Sequence, residues 1–303
     1  MAAVVNVNGR IGSEREALIS VLDHGFLYGE GVYEVVCAYG GRPFLFDRHM
    51  RRMRTSAQMI ALTVPYSDAE LTAQVEATIA AFCERPENAG VGNLYVRLLL
   101  TRGVGEITYD PASCPRPSLV IIVKALGAFS SELYDGGVKV VIVSVVRNHP
   151  CSINPLIKSN NLLNNALAFQ EALRRGAFEG VMRNYRGELA ELSTSNLFVV
   201  KDDRALTPPL DAGLLSGITR GFVCEICEAV GLSVEQRVLH DEDLFGADES
   251  FLTSTTKEVV PIVQVDERAI GNGKPGPWTK RLLEAYRRRV KELTGGTEVA
   301  GGD

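Results

Sequence analysis

The stretch Gly127–Gly137 carries Gly, Ser and Asp without a helical or strand period. It separates two blocks that each mix strand-like and helix-like patterns. A chain divided in this way is constrained to two domains with separate cores, and 303 residues suffice for both. The expected division is 1–126 as a smaller N-terminal α/β domain, 127–137 as the linker, and 138–294 as a larger, strand-rich C-terminal domain. Residues 295–303, polar and glycine-rich, are expected to form a flexible tail. A cleft between two such domains is a usual place for a small ligand.

In the first block, Ala2–Val7 and Val32–Tyr39 read as strands, with Asn8-Gly9 and Gly40-Gly41 as turns and Arg42–Phe46 following. Asp47 is a candidate N-cap for a helix to about Ile60. Ser67 with Glu70 forms a capping box for a helix to about Cys83. Leu94–Thr101 and Leu119–Ala125 are further strands. The second block opens with the β run Val138–Val146, and helices are expected near Leu162–Arg175, Gly217–Val230 and Pro277–Leu293.

Composition removes some functions. With 32 Lys and Arg against 37 Asp and Glu, the chain lacks the basic excess of a general nucleic-acid binder. No apolar run reaches the length of a membrane span. The six cysteines are scattered, and the one C-x-x-C, Cys224 with Cys227, lies in a helical pattern without a second pair, so neither zinc nor redox use is indicated. The first residues show no basic region leading into an apolar core. A reduced, cytoplasmic setting is therefore expected.

Four segments carry chemistry. In Ile157-Lys158-Ser159-Asn160-Asn161 the lysine keeps apolar and amide company, and the neutral amine that desolvation favours is the form that attacks an aldehyde. In Glu191-Leu192-Ser193-Thr194-Ser195-Asn196 a carboxylate ends a short strand ahead of a hydroxyl-rich turn, where it could hold a pyridine nitrogen protonated. Gly217-Ile218-Thr219-Arg220 opens a helix, whose first N–H groups suit an anion. Ser254-Thr255-Thr256 places hydroxyls between two strands, within reach of a phosphate or a carboxylate. By itself each has a plainer reading: a solvated lysine, a turn carboxylate, an ordinary helix start, turn hydroxyls.

Their combination and order resemble the class IV aminotransferases, which include branched-chain aminotransferases, D-amino acid aminotransferases and aminodeoxychorismate lyases. The resemblance extends to His24–Glu34, His49–Ala57, Leu94–Arg97 and Thr101–Gly105, and so covers nearly the whole chain except its tail. It implies a two-domain α/β (α+β) enzyme of fold type IV. The C-terminal domain would be a pseudo-barrel, and pyridoxal 5'-phosphate would lie in the interdomain cleft. Lys158 would carry the cofactor as a Schiff base and shuttle the proton. Glu191 would pair with the pyridine nitrogen. Arg52, the amides of Ile218 and Thr219 and the Thr255 hydroxyl would hold the phosphate. Tyr95 and the Thr255–Thr256 backbone would lie near the substrate α-carboxylate, Tyr33 would form an aromatic wall, and Arg97 would accept a distal carboxylate. No metal is implied. The resemblance also implies a homodimer at least, with the loop Arg102–Pro111 reaching a partner's site.

Departures divide the subfamilies. Branched-chain members usually have glycine after the glutamate, tyrosine five residues after the lysine, and arginine at position 37, where this chain has Leu192, Leu163 and Cys37. Ser254-Thr255-Thr256 and Val32–Val36 lean towards the D-amino acid enzymes. Tyr95-Val96-Arg97 and Arg102–Gly105 lean towards the branched-chain group, and Gly103–Pro117 contains Arg116 but no histidine to join it. The balance favours branched-chain transamination with a 2-oxo acid such as 2-oxoglutarate, over a D-amino acid donor or the lyase reaction.

Overall fold

The computed structural model describes residues 2–127 and 129–295. These form two compact units: one of residues 2–127, 157–161 and 293–295, the other of 129–156 and 162–292. The short loop 157–161, which carries Lys158, thus groups with the first unit although sequence order places it well inside the second block.

The first unit is built on a six-stranded sheet of β1 (Val4–Val7), β2 (Arg10–Ser13), β3 (Gly31–Tyr39), β4 (Arg42–Pro43), β5 (Asn93–Thr101) and β6 (Ser118–Ala125). Its order is β2-β1-β6-β5-β3-β4, and every pairing is antiparallel. Side chains alternate across a strand, and the sequence uses that period. Val32, Val36, Leu94, Val96, Leu98, Leu100, Leu119 and Ile121 turn to one face, where they pack with Met50, Met53, Leu71, Val75 and Phe82. Those last five come from α2 (Phe46–Met59) and α3 (Asp68–Cys83); the short α1 (His24–Tyr28) precedes β3. The opposite face is left to Tyr33, Tyr95, Arg97 and Lys124.

The capping box at Ser67 and Glu70 is formed. Asp47 is not an N-cap. The helix starts two residues earlier, behind Leu45, whose left-handed backbone (φ 51°) makes no side-chain cap, and Asp47 inside the first turn pairs with Arg51.

The second unit holds α4 (Ser131–Asp135), β7 (Val138–Ile142), α5 (Leu163–Arg174), β8 (Glu179–Arg183), β9 (Leu189–Leu192), β10 (Asn196–Lys201), β11 (Arg204–Thr207), α6 (Ile218–Ala229), β12 (Ser233–Gln236), α7 (Asp241–Phe245), β13 (Glu249–Ser254), β14 (Glu258–Val265), β15 (Arg268–Ala269) and α8 (Pro277–Thr294). The nine-stranded sheet runs β12-β11-β10-β13-β14-β7-β8-β9, with β15 on β14. β9 returns to β10 through the turn 193–195, where the Leu192 N–H donates to the Ser195 carbonyl at 2.8 Å. The sheet therefore curls back towards itself as a half-barrel. Leu189, Leu192, Leu197, Val199, Leu252, Val260 and Ile262 fill its core.

The stretch expected to be a featureless linker contains α4, because Leu133 and Tyr134 offer an apolar side that packs on this core. The run Val138–Val146 is a strand only as far as Ile142: the Glu171 carboxylate takes the Ser144 N–H at 2.9 Å and draws the chain off the ladder. Of the expected tail, Gly295 is a turn residue and 296–303 lie outside the described residues.

Candidate active site

In the first unit, Lys158 sits on a short extended segment laid along the start of β3. Ser159 bridges Val32, the Tyr33 N–H donates to the Lys158 carbonyl at 3.0 Å, and the Asn160 N–H donates to the Gly31 carbonyl at 2.9 Å. The Ser56 hydroxyl on α2 accepts the Lys158 N–H at 3.1 Å. A Cβ at Gly31 would lie 2.6 Å from Asn160 Nδ2 of this segment and 2.7 Å from the Leu100 carbonyl on β5, so the close packing there requires glycine. The half-buried Lys158 side chain places its Nζ 4.4 Å from the centre of the Tyr33 ring. Arg97 covers the same ring at 4.2 Å and donates to the Tyr95 hydroxyl at 3.4 Å. Four of the predicted residues, Lys158, Tyr33, Tyr95 and Arg97, are thus brought together.

Arg52 lies on α2 and forks onto Glu34, with Nε to Oε1 and Nη2 to Oε2 both at 2.7 Å. The Nδ1 of His49 meets the same Oε2 at 2.7 Å. Glu34 is fully buried. Burial alone would raise its pKa, but the charge and hydrogen bonds of Arg52 prevail and hold it down to about 2. Burial lowers the pKa of His49, against the pull of Glu34. Glu34 was not singled out from the sequence as a functional residue. Its signal was available: a carboxylate at position 34, between Val32 and Val36 in the buried phase of a strand, demands a cationic partner.

In the second unit, Glu191 is buried on β9 and accepts from three donors. Arg147 Nε reaches Oε1 at 2.8 Å, while Asn196 Nδ2 and the Leu215 N–H reach Oε2 at 3.2 and 3.0 Å. Arg147 is itself buried and also donates to Asn164 on α5. Neither Arg147 nor Asn196 was given a role from the sequence, since a single arginine after Val146 breaks no period. The helix α6 starts behind Gly217 without a side-chain cap, so the N–H groups of Ile218 and Thr219 face no capping oxygen from that residue. A Cβ on Gly217 would lie 1.9 Å from Asn196 Oδ1. Close packing against the residue that holds Glu191 therefore requires glycine. Thr255 and Thr256 form the half-buried turn between β13 and β14, closed by the Lys257 N–H on Ser254 Oγ at 3.2 Å. Among the described residues no group of His, Cys, Asp and Glu could hold a metal ion, and no helix is long and apolar enough to cross a membrane.

The family model for amino-transferase class IV matches residues 31–265, the span that contains all of these residues. The chain belongs to the class IV aminotransferases. It is a pyridoxal phosphate-dependent aminotransferase with the mixed α/β fold of that family. A putative branched-chain-amino-acid aminotransferase of Methanocaldococcus jannaschii is 35% identical over 93% of this chain and 95% of its own length. A D-alanine aminotransferase of Bacillus licheniformis is 32% identical over 96% of this chain and 98% of its own. The crystal structure of the branched-chain aminotransferase of Thermoproteus uzoniensis with norvaline superposes with a TM-score of 0.87 at 32% identity, covering 96% of this chain and 95% of that one. A branched-chain amino acid aminotransferase of T.th., solved with pyridoxamine 5'-phosphate, gives 0.88 at 29% identity, covering 97% and 95%.

Proposed function

We propose that this aminotransferase moves the amino group of an L-branched-chain amino acid to 2-oxoglutarate by a ping-pong route, with Lys158 as the catalytic lysine. The donor would bind, give up its amine and leave as a 2-oxo acid, after which the second 2-oxo acid would be aminated by the reverse path. When bound, pyridoxal phosphate supplies a reactive aldehyde carbon and an electron-withdrawing ring.

The residues suit that cofactor by the chemistry of their donors. Lys158 offers the amine, and its Nζ would carry the proton to and from the substrate's Cα. Glu191, fixed by three donors, would keep its orientation while accepting a pyridinium N–H, and a preorganised acceptor stabilises charge as it develops. The uncapped start of α6 suits a phosphate through Ile218 and Thr219, with Thr255 and Arg52 as further donors. For Arg52 the reading needs one addition: its Nε and one Nη serve Glu34, so the orientation of the guanidinium is set by that carboxylate. Tyr33 would shield Lys158 from water on one side. Tyr95 and the Thr255–Thr256 backbone would hold the α-carboxylate.

The observation that carries the L-branched-chain reading is the Arg97–Tyr33–Tyr95 constellation, an aromatic wall with one cation placed for a distal carboxylate. A D-amino acid donor is the second reading, favoured by the D-alanine aminotransferase relative. The test is turnover of L-leucine against D-alanine with 2-oxoglutarate. Leucine turnover with little D-alanine activity supports the first reading, and the reverse replaces it with the second. Silence with both, together with pyruvate release from aminodeoxychorismate without an amino acceptor, would favour a lyase.

A homodimer is part of the proposal. Leu18, Ile19 and Val21, Phe26 on α1, and Ile107 and Tyr109 are exposed, on two segments joined by a bridge between Asp23 and Val104, and exposed apolar side chains of this kind suit an interface. Light scattering of the purified protein tests it. Among the described residues the six cysteines form no disulfide, which agrees with a reduced, cytoplasmic setting.

A further inference from the structure

The helix-free face of the first sheet carries two cations that end on no carboxylate. Residues of β6, β5 and β3 fall into rows across this face. Lys124, Tyr95 and Cys37 share one row, and Ile122, Arg97 and Val35 lie in register in the next. Cross-strand neighbours in such a row have Cβ atoms about 5 Å apart, and diagonal neighbours about 7–8 Å, within reach of long side chains. Lys124 places its Nζ 5.0 Å from the Tyr95 ring centre, and Arg97 donates to the hydroxyl of that same ring at 3.4 Å. The two cations therefore converge on one tyrosine.

Elsewhere in this unit Arg52, Arg54 and Arg102 each end on a carboxylate: Glu34, Asp68 and Glu30. Among the described residues, Arg97 and Lys124 contact only Tyr33 and Tyr95 rings or hydroxyl. Position 37, at the far end of the Lys124 row, supplies a buried thiol and no charge.

We propose that Lys124 is a specificity-determining residue, which grips the distal carboxylate of a dicarboxylate substrate together with Arg97. The guanidinium offers a planar fork and the ammonium a mobile point charge. Two such donors beside the Tyr95 ring suit the two oxygens of one carboxylate. A branched aliphatic side chain makes no use of Lys124, so the residue separates the two half-reactions: it strengthens binding of the dicarboxylate partner and leaves the aliphatic partner unaffected. This rests on the functional reading above only in taking this sheet face as the side-chain pocket.

The test uses holoenzyme with Lys124→Met, which keeps the stem and loses the charge, and Lys124→Arg, which restores it. The first readout is calorimetric binding of glutarate and of 4-methylpentanoate, two unreactive acids that differ in the second carboxylate. The second is KM for 2-oxoglutarate against 4-methyl-2-oxopentanoate. In Lys124→Met the glutarate Kd and the 2-oxoglutarate KM should rise about three- to fivefold, the upper scale of one partly exposed charge contact. The aliphatic constants should stay within about twofold, and Lys124→Arg should recover most of the loss. Unchanged glutarate binding in Lys124→Met, an equal loss for both acids, or a wild-type protein that binds no glutarate would overturn the proposal. Absence of leucine turnover alongside a selective glutarate effect would overturn the choice of donor and leave the role of Lys124 standing.

Discussion

Replacing Arg147 by Met tests how Glu191 is held. In the folded protein Arg147 and Glu191 are both nearly inaccessible, with side chains 7% and 6% exposed and the Nε–Oε1 distance 2.8 Å. Methionine fills a similar length without charge. It leaves the Glu191 carboxylate with only Asn196 and the Leu215 N–H, in a place water does not reach. Breaking a buried pair by removing one partner costs about 3–5 kcal/mol, because the remaining charge is uncompensated. For a unit of this size 1 kcal/mol corresponds to roughly 2–4 °C of melting temperature, so the melting point should fall by roughly 6–20 °C. The pair Arg204–Glu235 in the same unit is the internal control. Its side chains are 56% and 48% exposed and 3.6 Å apart, and such pairs contribute about 1 kcal/mol or less. Arg204→Met should therefore shift the melting point by no more than a few degrees. The assay is thermal unfolding of cofactor-free protein at pH 7, followed by circular dichroism, with the double variant Arg147→Met, Glu191→Gln included. Removing the stranded charge should recover part of the loss. If Arg147→Met costs no more than Arg204→Met, or if the double variant is less stable by the sum of the two single losses, the pair is not the anchor described here.

Two other outcomes follow from the same geometry. Glu34 has a folded pKa near 2, below its ordinary value of 4.5, so its contribution is fully present above pH 4.5 and is lost as the pH falls towards 2. The difference is worth ~3 kcal/mol. The melting-point gap between wild type and Glu34→Gln should accordingly narrow from pH 6 to pH 3, and a gap that stays constant would contradict the assignment. Gly217→Ala should weaken pyridoxal phosphate binding by roughly tenfold or more, measured by equilibrium titration of cofactor-free protein, because its Cβ would displace Asn196 from Glu191; unaltered affinity would show that the Asn196 contact is dispensable.

Much of the architecture was legible in local chemistry. The period-2 pattern of β3, β5 and β6 and the capping box at Ser67 are short-range signals, and all are found as expected. Asp47 misled because a good N-cap residue was available one step inside a helix that begins on a left-handed Leu45 instead. The helix within Gly127–Gly137 was not legible because only two apolar residues, Leu133 and Tyr134, are needed to fix one helical turn on a core formed by distant strands. Among the site residues, Lys158 and Glu191 stood out through their motifs. Arg147 and Asn196 are visible only once the fold brings them to Glu191 from 44 and 5 residues away. Glu34 lies between, readable as a misplaced charge but without a partner until α2 packs against β3.

The central claim is that Lys158 is the residue that carries pyridoxal phosphate. Reducing the loaded enzyme with borohydride fixes the cofactor to whichever amine holds it, and peptide mass analysis then locates the mark. The account predicts one pyridoxyl group per chain, on the peptide that contains Lys158, and its loss together with turnover in Lys158→Ala. A mark on another lysine, or a Lys158→Ala variant that keeps both the mark and full activity, would contradict it.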